Sequence, residues 1–238
     1  SLIVTAGIVS IYANCKKSNN GGGTPTPDPT PTGPAITQWI TKGDKSMLLQ
    51  KQTATLQFGT NANSNINIDV DSTQAFQSVD GFGYTLTGGS AYLLSQLNSS
   101  QRASLLQELF GSGENAIGVS YLRLSIGASD LSEQVFSYDD LSAGNTDLNL
   151  DSFSLSRDTL YLIPVLKEIL AINPNIKLLG SPWSPPVWMK TNGSSIGGSL
   201  KPEYYSVYAQ YFIKYIQAMK AKGINIDAVT IQNEPQHG

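Results

Sequence analysis

The stretch Ala228–Pro235, AVTIQNEP, decides how the rest of the chain is read. A short β-branched run, Val229 to Ile231, passes directly into an amide, a carboxylate and a proline: Asn233, Glu234 and Pro235. Apolar β-branched residues bounded by turn signals read as a buried strand, and this one ends by presenting hydrogen-bonding groups. Working outward, Lys201–Gly223 (KPEYYSVYAQYFIKYIQAMKAKG) has helical spacing and closes on Gly223. Before it come a strand, KLLGSPW, a helix, RDTLYLIPVLKEILAINP, and another strand, VSYLRLSIGASD. The segment GGSAYLLSQLNSSQRASLLQELFG carries helical spacing at Leu93, Leu94, Leu97, Leu105, Leu106 and Leu109, and SVDGFGYTL before it reads as a strand running into a glycine turn. Strands alternating with helices predict an α/β fold with a parallel sheet and helical crossovers.

A doubly wound sheet and a (β/α) barrel both fit that alternation. No GxGxxG joins the first strand to its helix, so a dinucleotide-binding sheet has no support. Polar and aromatic residues instead gather where the strands end: Gly81 to Tyr84, Arg123 with Asp130, Ser181 to Trp183, and Asn233 with Glu234. In a barrel those ends share one rim, and the rim is where an active site is built.

Composition narrows the chemistry. The chain of 238 residues carries a formal net charge of −3, 14% charged residues and no cluster of Lys or Arg, which argues against nucleic acid as partner. With one cysteine, Cys15, and one histidine, His237, neither a thiolate cluster nor a multi-histidine zinc site can be assembled, and no metal or other cofactor is expected. Carboxylates are then the expected acids, bases and nucleophiles.

Among them Glu234 is the strongest candidate, because a carboxyl at a strand mouth can protonate a leaving-group oxygen if burial raises its pKa. Asn233 beside it suits a substrate hydroxyl. Asp130 either grips two hydroxyls of a sugar ring or caps the loop that follows it. Arg123, inside an apolar strand, is expected to orient carboxylates rather than touch substrate. In GSPWSPPVWMKTNG, Trp183 is expected to stack on a sugar face, while Trp188 either does the same or plugs the loop, and Lys190 is expected to be solvated. The tyrosines at 204, 205, 208, 211 and 215 have helical spacing and read as packing. His237 is open between a rim contact and a loose end.

These motifs, QSVDGFGYTLTGGSA, SYLRLSIGASDLS, SPWSPPVWMKTNG and TIQNEP in that order, resemble glycoside hydrolase family 30, the group of glucosylceramidases and β-1,6-glucanases. The resemblance runs from about Gln77 to Pro235. It implies a (β/α)8 TIM barrel, present here as its first four strands over residues 78–238, with a side β-sandwich to which the strands of residues 37–77 belong. It implies a retaining mechanism with two glutamates, Glu234 matching the acid/base and Asn233 the residue bonded to the sugar 2-hydroxyl. Asp130 and Trp183 match residues that bind the sugar, and Arg123 the supporting arginine. The nucleophile of such enzymes lies on the seventh strand, so the chain reads as a fragment, clipped at both ends and inactive alone. A β-glucan or other glucosyl-containing glycan is the expected substrate; a non-catalytic glycan-binding protein on the same barrel is the alternative.

The first residues read as an address. Leu2–Ala13 is an apolar run of signal-peptide length, ending ahead of Cys15 in the manner of a bacterial lipoprotein signal over residues 1–15. KKSNNGGGTPTPDPTPTGP then reads as a solvated linker over residues 16–36. Lipidation of Cys15 would make this an exported bacterial lipoprotein at the outer membrane or cell surface, meeting a membrane only through that anchor.

Overall fold

The computed structural model describes residues 35–57, 64–66 and 68–236. Cys15, the linker up to Pro34 and His237 lie outside the described residues. In chain order the elements are β1 (Ala35–Ile36), β2 (Trp39–Ile40), β3 (Gln50–Lys51), β4 (Leu56–Gln57), β5 (Gly83–Leu86), α1 (Gly88–Gln96), α2 (Ser99–Phe110), β6 (Tyr121–Ile126), α3 (Leu162–Ile172), β7 (Lys177–Pro182), α4 (Tyr205–Ala221) and β8 (Ala228–Val229).

The chain divides into two units. In one, β1 pairs antiparallel with β4, Ala35 opposite Gln57. The other holds β2, β3 and every element from β5 onwards. Its β2–β3 hairpin is tied to the loop ahead of β6, where Trp39 Nε1 donates to the Glu114 carbonyl at 3.1 Å and Lys51 Nζ reaches Glu114 Oε1 at 2.6 Å. Strands thus do precede the parallel sheet, as two-residue pairs. Of the strands expected over residues 37–77, the part from residue 65 onwards is a correction: its described residues form no strand despite their alternating pattern, and Ile68, Val70 and Phe76, like Val79 after them, are exposed. A period-two pattern becomes a strand only when a second chain completes its hydrogen bonds, and among the described residues none does so here.

The four later strands form one parallel sheet in the order β5-β6-β7-β8. Sequential order without reversal is the one-way winding of a barrel rather than the switch point of a doubly wound sheet. Register puts Leu122, Leu124 and Ile126 opposite Leu178, Gly180 and Pro182 on one face. That face is buried with Leu162, Ile163, Val165, Leu166 and Ile169 of α3 and with Tyr208, Tyr211, Tyr215 and Met219 of α4. Each such leucine stabilises the fold by about 1.5–3 kcal/mol. Gly180 makes room there, because a Cβ at that position would stand 3.1 Å from both Ile126 Cδ1 and Tyr215 Cε1, tighter than ordinary van der Waals contact.

Local chemistry explains where the helices begin and end. The single helix expected over residues 88–111 is two, because Asn98 stops the first and restarts the second by accepting from the Gln101 N–H at 2.9 Å. The helix expected from Arg157 starts only at Leu162. Pro164 sets that start, since a residue lacking an N–H is harmless only in a helix's first turn. At the end of α4, Gly223 takes φ +81 while Ile224 N–H bonds the Met219 carbonyl and Gly223 N–H that of Lys220. This is the left-handed glycine closure that the sequence announces.

Candidate active site

The strands β6, β7 and β8 end side by side, and the polar residues follow them. Beyond β8 the chain keeps to β7: Thr230 N–H bonds the Gly180 carbonyl at 2.9 Å and Asn233 N–H the Pro182 carbonyl at 2.8 Å. Asn233 therefore sits at the C-terminal end of the sheet. There Arg123, part-buried on the sheet face away from the helices, donates from Nη2 to Asn233 Oδ1 at 2.5 Å and to Ser181 Oγ at 2.8 Å. Thr230 Oγ1 donates to the same Ser181 oxygen at 2.6 Å.

These bonds fix which way the Asn233 amide faces. Its oxygen is taken by the guanidinium, so Nδ2 is the end left to donate, and it lies 3.4 Å from Glu234 Oε2. Glu234 itself has φ +42, a left-handed backbone that a side-chain-bearing residue adopts at a cost of order 1 kcal/mol. Backbone strain of this kind gathers at sites where a side chain must leave its strand's direction.

Two expectations for this cluster need correction. Arg123 does not orient a carboxylate among the described residues: its partners are an amide and a hydroxyl. Nor is Glu234 buried, because it is exposed. The rim of four strands covers only one side of a residue that eight strands would surround.

Trp183 is half-buried, and its carbonyl accepts from Gln232 Nε2 at 2.8 Å, which ties the tryptophan loop to the Asn-Glu strand. Trp188 plugs the loop instead: its indole lies edge-on to Tyr204 at 5.0 Å and donates to Asp139. Asp130 is exposed just past β6 at the same end of the sheet. The turn beside it is capped by Ser129, which accepts from the Leu131 N–H at 3.2 Å, leaving Asp130 free of that duty.

Lys190 is a further correction. It is only 6% exposed, its Nζ donates to the Ser195 carbonyl at 3.0 Å, and burial pushes its pKa down. Gly81 to Tyr84 also move, from the end of a strand to its start. A Cβ on Gly83 would overlap the Tyr121 carbonyl oxygen at 1.5 Å, so this glycine serves the close approach of β5 to β6. Of the tyrosines, 208, 211 and 215 are buried as expected and Tyr205 is exposed.

Sequence reasoning placed Ser181 at the rim without giving it a role, and missed Thr230 and Gln232 as parts of the site. Period two was the available signal, since Arg123, Ser125 and Ser181 share the face opposite the buried leucines. An open hollow of about 920 Å³ between residues 45–51 and 113–116 lies at the other end of the sheet, ahead of β6, far from this chemistry. Among the described residues no group of three or more His, Cys, Asp or Glu could hold a metal ion, and no helix is long and apolar enough to cross a membrane.

A family description, the glycosyl hydrolase family 30 TIM-barrel domain, matches residues 79–238. The chain belongs to glycosyl hydrolase family 30. It is 40% identical to an endo-1,6-β-D-glucanase of Neurospora crassa over 181 residues, covering 73% of this chain and 37% of that protein. It is 35% identical to the lysosomal acid glucosylceramidase of Mus musculus over 170 residues, covering 68% of this chain and 32% of that one. A solved endo-β1,6-glucanase superposes with a TM-score of 0.71 at 37% identity, over 86% of this chain and 44% of its own. The family 30 barrel here thus spans well under half the length of these relatives, as a four-stranded parallel sheet.

Proposed function

We propose that this family 30 chain carries the acid/base side of a retaining β-glycosidase that cleaves β-glucosidic bonds. The observation that carries the reading is the Arg123–Asn233–Glu234 arrangement: the guanidinium holds the amide oxygen, so the amide N–H group faces the space beside the carboxyl. In the reaction, Glu234 protonates the glycosidic oxygen and later takes a proton from the attacking water. Asn233 Nδ2 donates to the hydroxyl next to the reacting carbon, and Trp183 stacks on the ring of the sugar. A second carboxylate about 5–5.5 Å from the first acts as nucleophile. The family resemblance puts it on a seventh strand, and the unused N–H groups of Arg123 are suited to hold it.

The test uses a protein with all eight strands. Glu234→Gln is expected to lower turnover of natural β-glucosides by roughly 10²–10⁴ while sparing the first step on aryl glucosides whose leaving groups need no acid. Equal loss on both would defeat the assignment. The chain Ser1–Gly238 by itself is expected to turn over no aryl β-glucoside; activity that survives purification would overturn that.

For substrate, a soluble β-1,6-glucan suits a surface-tethered protein better than a membrane sphingolipid, and glucose release from each decides between them. The tether is part of the same proposal. Lipid attached at Cys15 should label the protein with radioactive palmitate, and Cys15→Ser should abolish the label.

A further inference from the structure

The loop from β6 to α3 and the loop after β7 meet at one buried carboxyl, Asp139, which is 1% exposed. The Trp188 indole N–H donates to both its carbonyl, at 3.1 Å, and its Oδ2, at 3.2 Å. Oδ1 is buried with no hydrogen-bond partner. A buried, half-satisfied carboxyl is costly to keep and calls for a reason.

We propose that Asp139 is a positioning residue for sugar recognition, holding Trp188 and, through it, the loop that presents Trp183. The word sugar rests on the function proposed above; the positioning rests on geometry. Between the two tryptophans stand Ser184, the buried Pro185 and Pro186, and Val187, a segment with little freedom to absorb a shift. On the Trp183 side the loop is pinned by Gln232, and by Asn233 N–H on the Pro182 carbonyl. On the Trp188 side the pins are Asp139 and the Tyr204 ring. Trp183 is therefore strung between the acid/base strand and Asp139.

The latch carries its own reporter. Burial, and next the charge of Asp147, push the Asp139 carboxyl up to about 6, with Asp140 adding to this while the Trp188 hydrogen bond and Lys214 of α4 oppose it. Lys190, on the same loop, spends its charge on the Ser195 carbonyl. Ionisation of Asp139 should register on the one indole bonded to it.

The experiment is an NMR titration of the indole N–H signals of the chain, whose tryptophans are Trp39, Trp183 and Trp188. Trp183→Phe and Trp188→Phe assign two of them. The Trp188 signal is expected to shift with one midpoint near pH 6 and to stay flat in Asp139→Asn, which keeps an acceptor but cannot titrate. In Asp139→Ala the Trp188 N–H keeps only its bond to the main-chain carbonyl at position 139, so its signal and that of Trp183 should move, and the dissociation constant of the eight-stranded protein for gentiobiose should rise roughly tenfold, an effect of one lost hydrogen bond. Asp139→Asn should restore both. A Trp188 titration that persists in Asp139→Asn, or a Trp183 signal unmoved by Asp139→Ala, overturns the proposal. If gentiobiose fails to bind even the unaltered eight-stranded protein, the sugar reading falls and the Trp183 signal alone judges the positioning. Should Asp139→Ala fail to fold, Trp188→Phe removes the same side-chain hydrogen bond from the other side, together with the bond to the Asp139 carbonyl.

Discussion

Along β6, Leu122, Leu124 and Ile126 point one way and Tyr121, Arg123 and Ser125 the other, and the two rows live in different surroundings. The first row is sealed by α3 and α4, down to a glycine that lets Tyr215 close on the sheet. The second row carries a guanidinium and hydroxyls, and there Ser125 Oγ is buried without a partner. One face is finished by packing, which needs only apolar volume. The other is finished by directed bonds, which need particular atoms opposite. A sheet can thus hold its fold on one side and leave its chemistry open on the other.

Substitutions on the two faces should separate these jobs. On the packed face, Leu124→Ala should remove about 2–5 kcal/mol of stability, seen as a lower denaturant midpoint. Arg123→Met on the opposite face should cost less, about 1–2 kcal/mol, because it removes two hydrogen bonds from a guanidinium that is only part-buried. Its effect should fall on glucoside turnover in the eight-stranded protein, through the released Asn233 amide. A stability loss at Arg123 equal to that at Leu124 would break the distinction.

The next effect sits among the packed tyrosines. Asp158 is buried, its carboxyl accepts from the Tyr138 hydroxyl at 2.6 Å, and burial pushes its pKa from 3.8 up to about 6. Between those values the folded chain holds a proton that the unfolded chain has lost. Stability therefore falls as pH rises from about 4 to about 6, by about 3 kcal/mol for this group, and stays lower above. Asp158→Asn keeps the acceptor and removes the charge, so it should melt higher than the unaltered chain at pH 7 and show a shallower pH dependence. An unchanged melting profile would exclude Asp158 as the source. The smallest expected change is at the helix break: Asn98→Ala should cost about 0.5–2 kcal/mol by removing the cap of α2, measurable by thermal melting.

The packed face was legible in the sequence because burial leaves a periodic trace. Leu-x-Leu-x-Ile in β6 and the tyrosine spacing of α4 declare their faces without help from the rest of the chain. Asn233 and Glu234 were legible for another reason: polar groups that end an apolar strand must be displayed at its mouth. What stayed hidden depended on partners distant in sequence. Lys190 looks like any surface lysine until the loop folds it onto the Ser195 carbonyl. Asp139 looks like its neighbour Asp140, and only Trp188, 49 residues on, sets it apart. The alternation of residues 65–79 shows the converse, a strand pattern without a strand to pair with.

The bond between Arg123 and the Asn233 amide has a consequence for ageing of the molecule. Hydrolytic loss of ammonia from Asn233 would leave an aspartate facing the guanidinium, and a contact between a charge and a dipole would become an ion pair. That change should make the fold tighter while removing the donor beside Glu234 and setting a second negative charge next to it. A damaged molecule of this kind would pass every test of stability while lacking the Asn233 donor beside Glu234, so that heat treatment would enrich it.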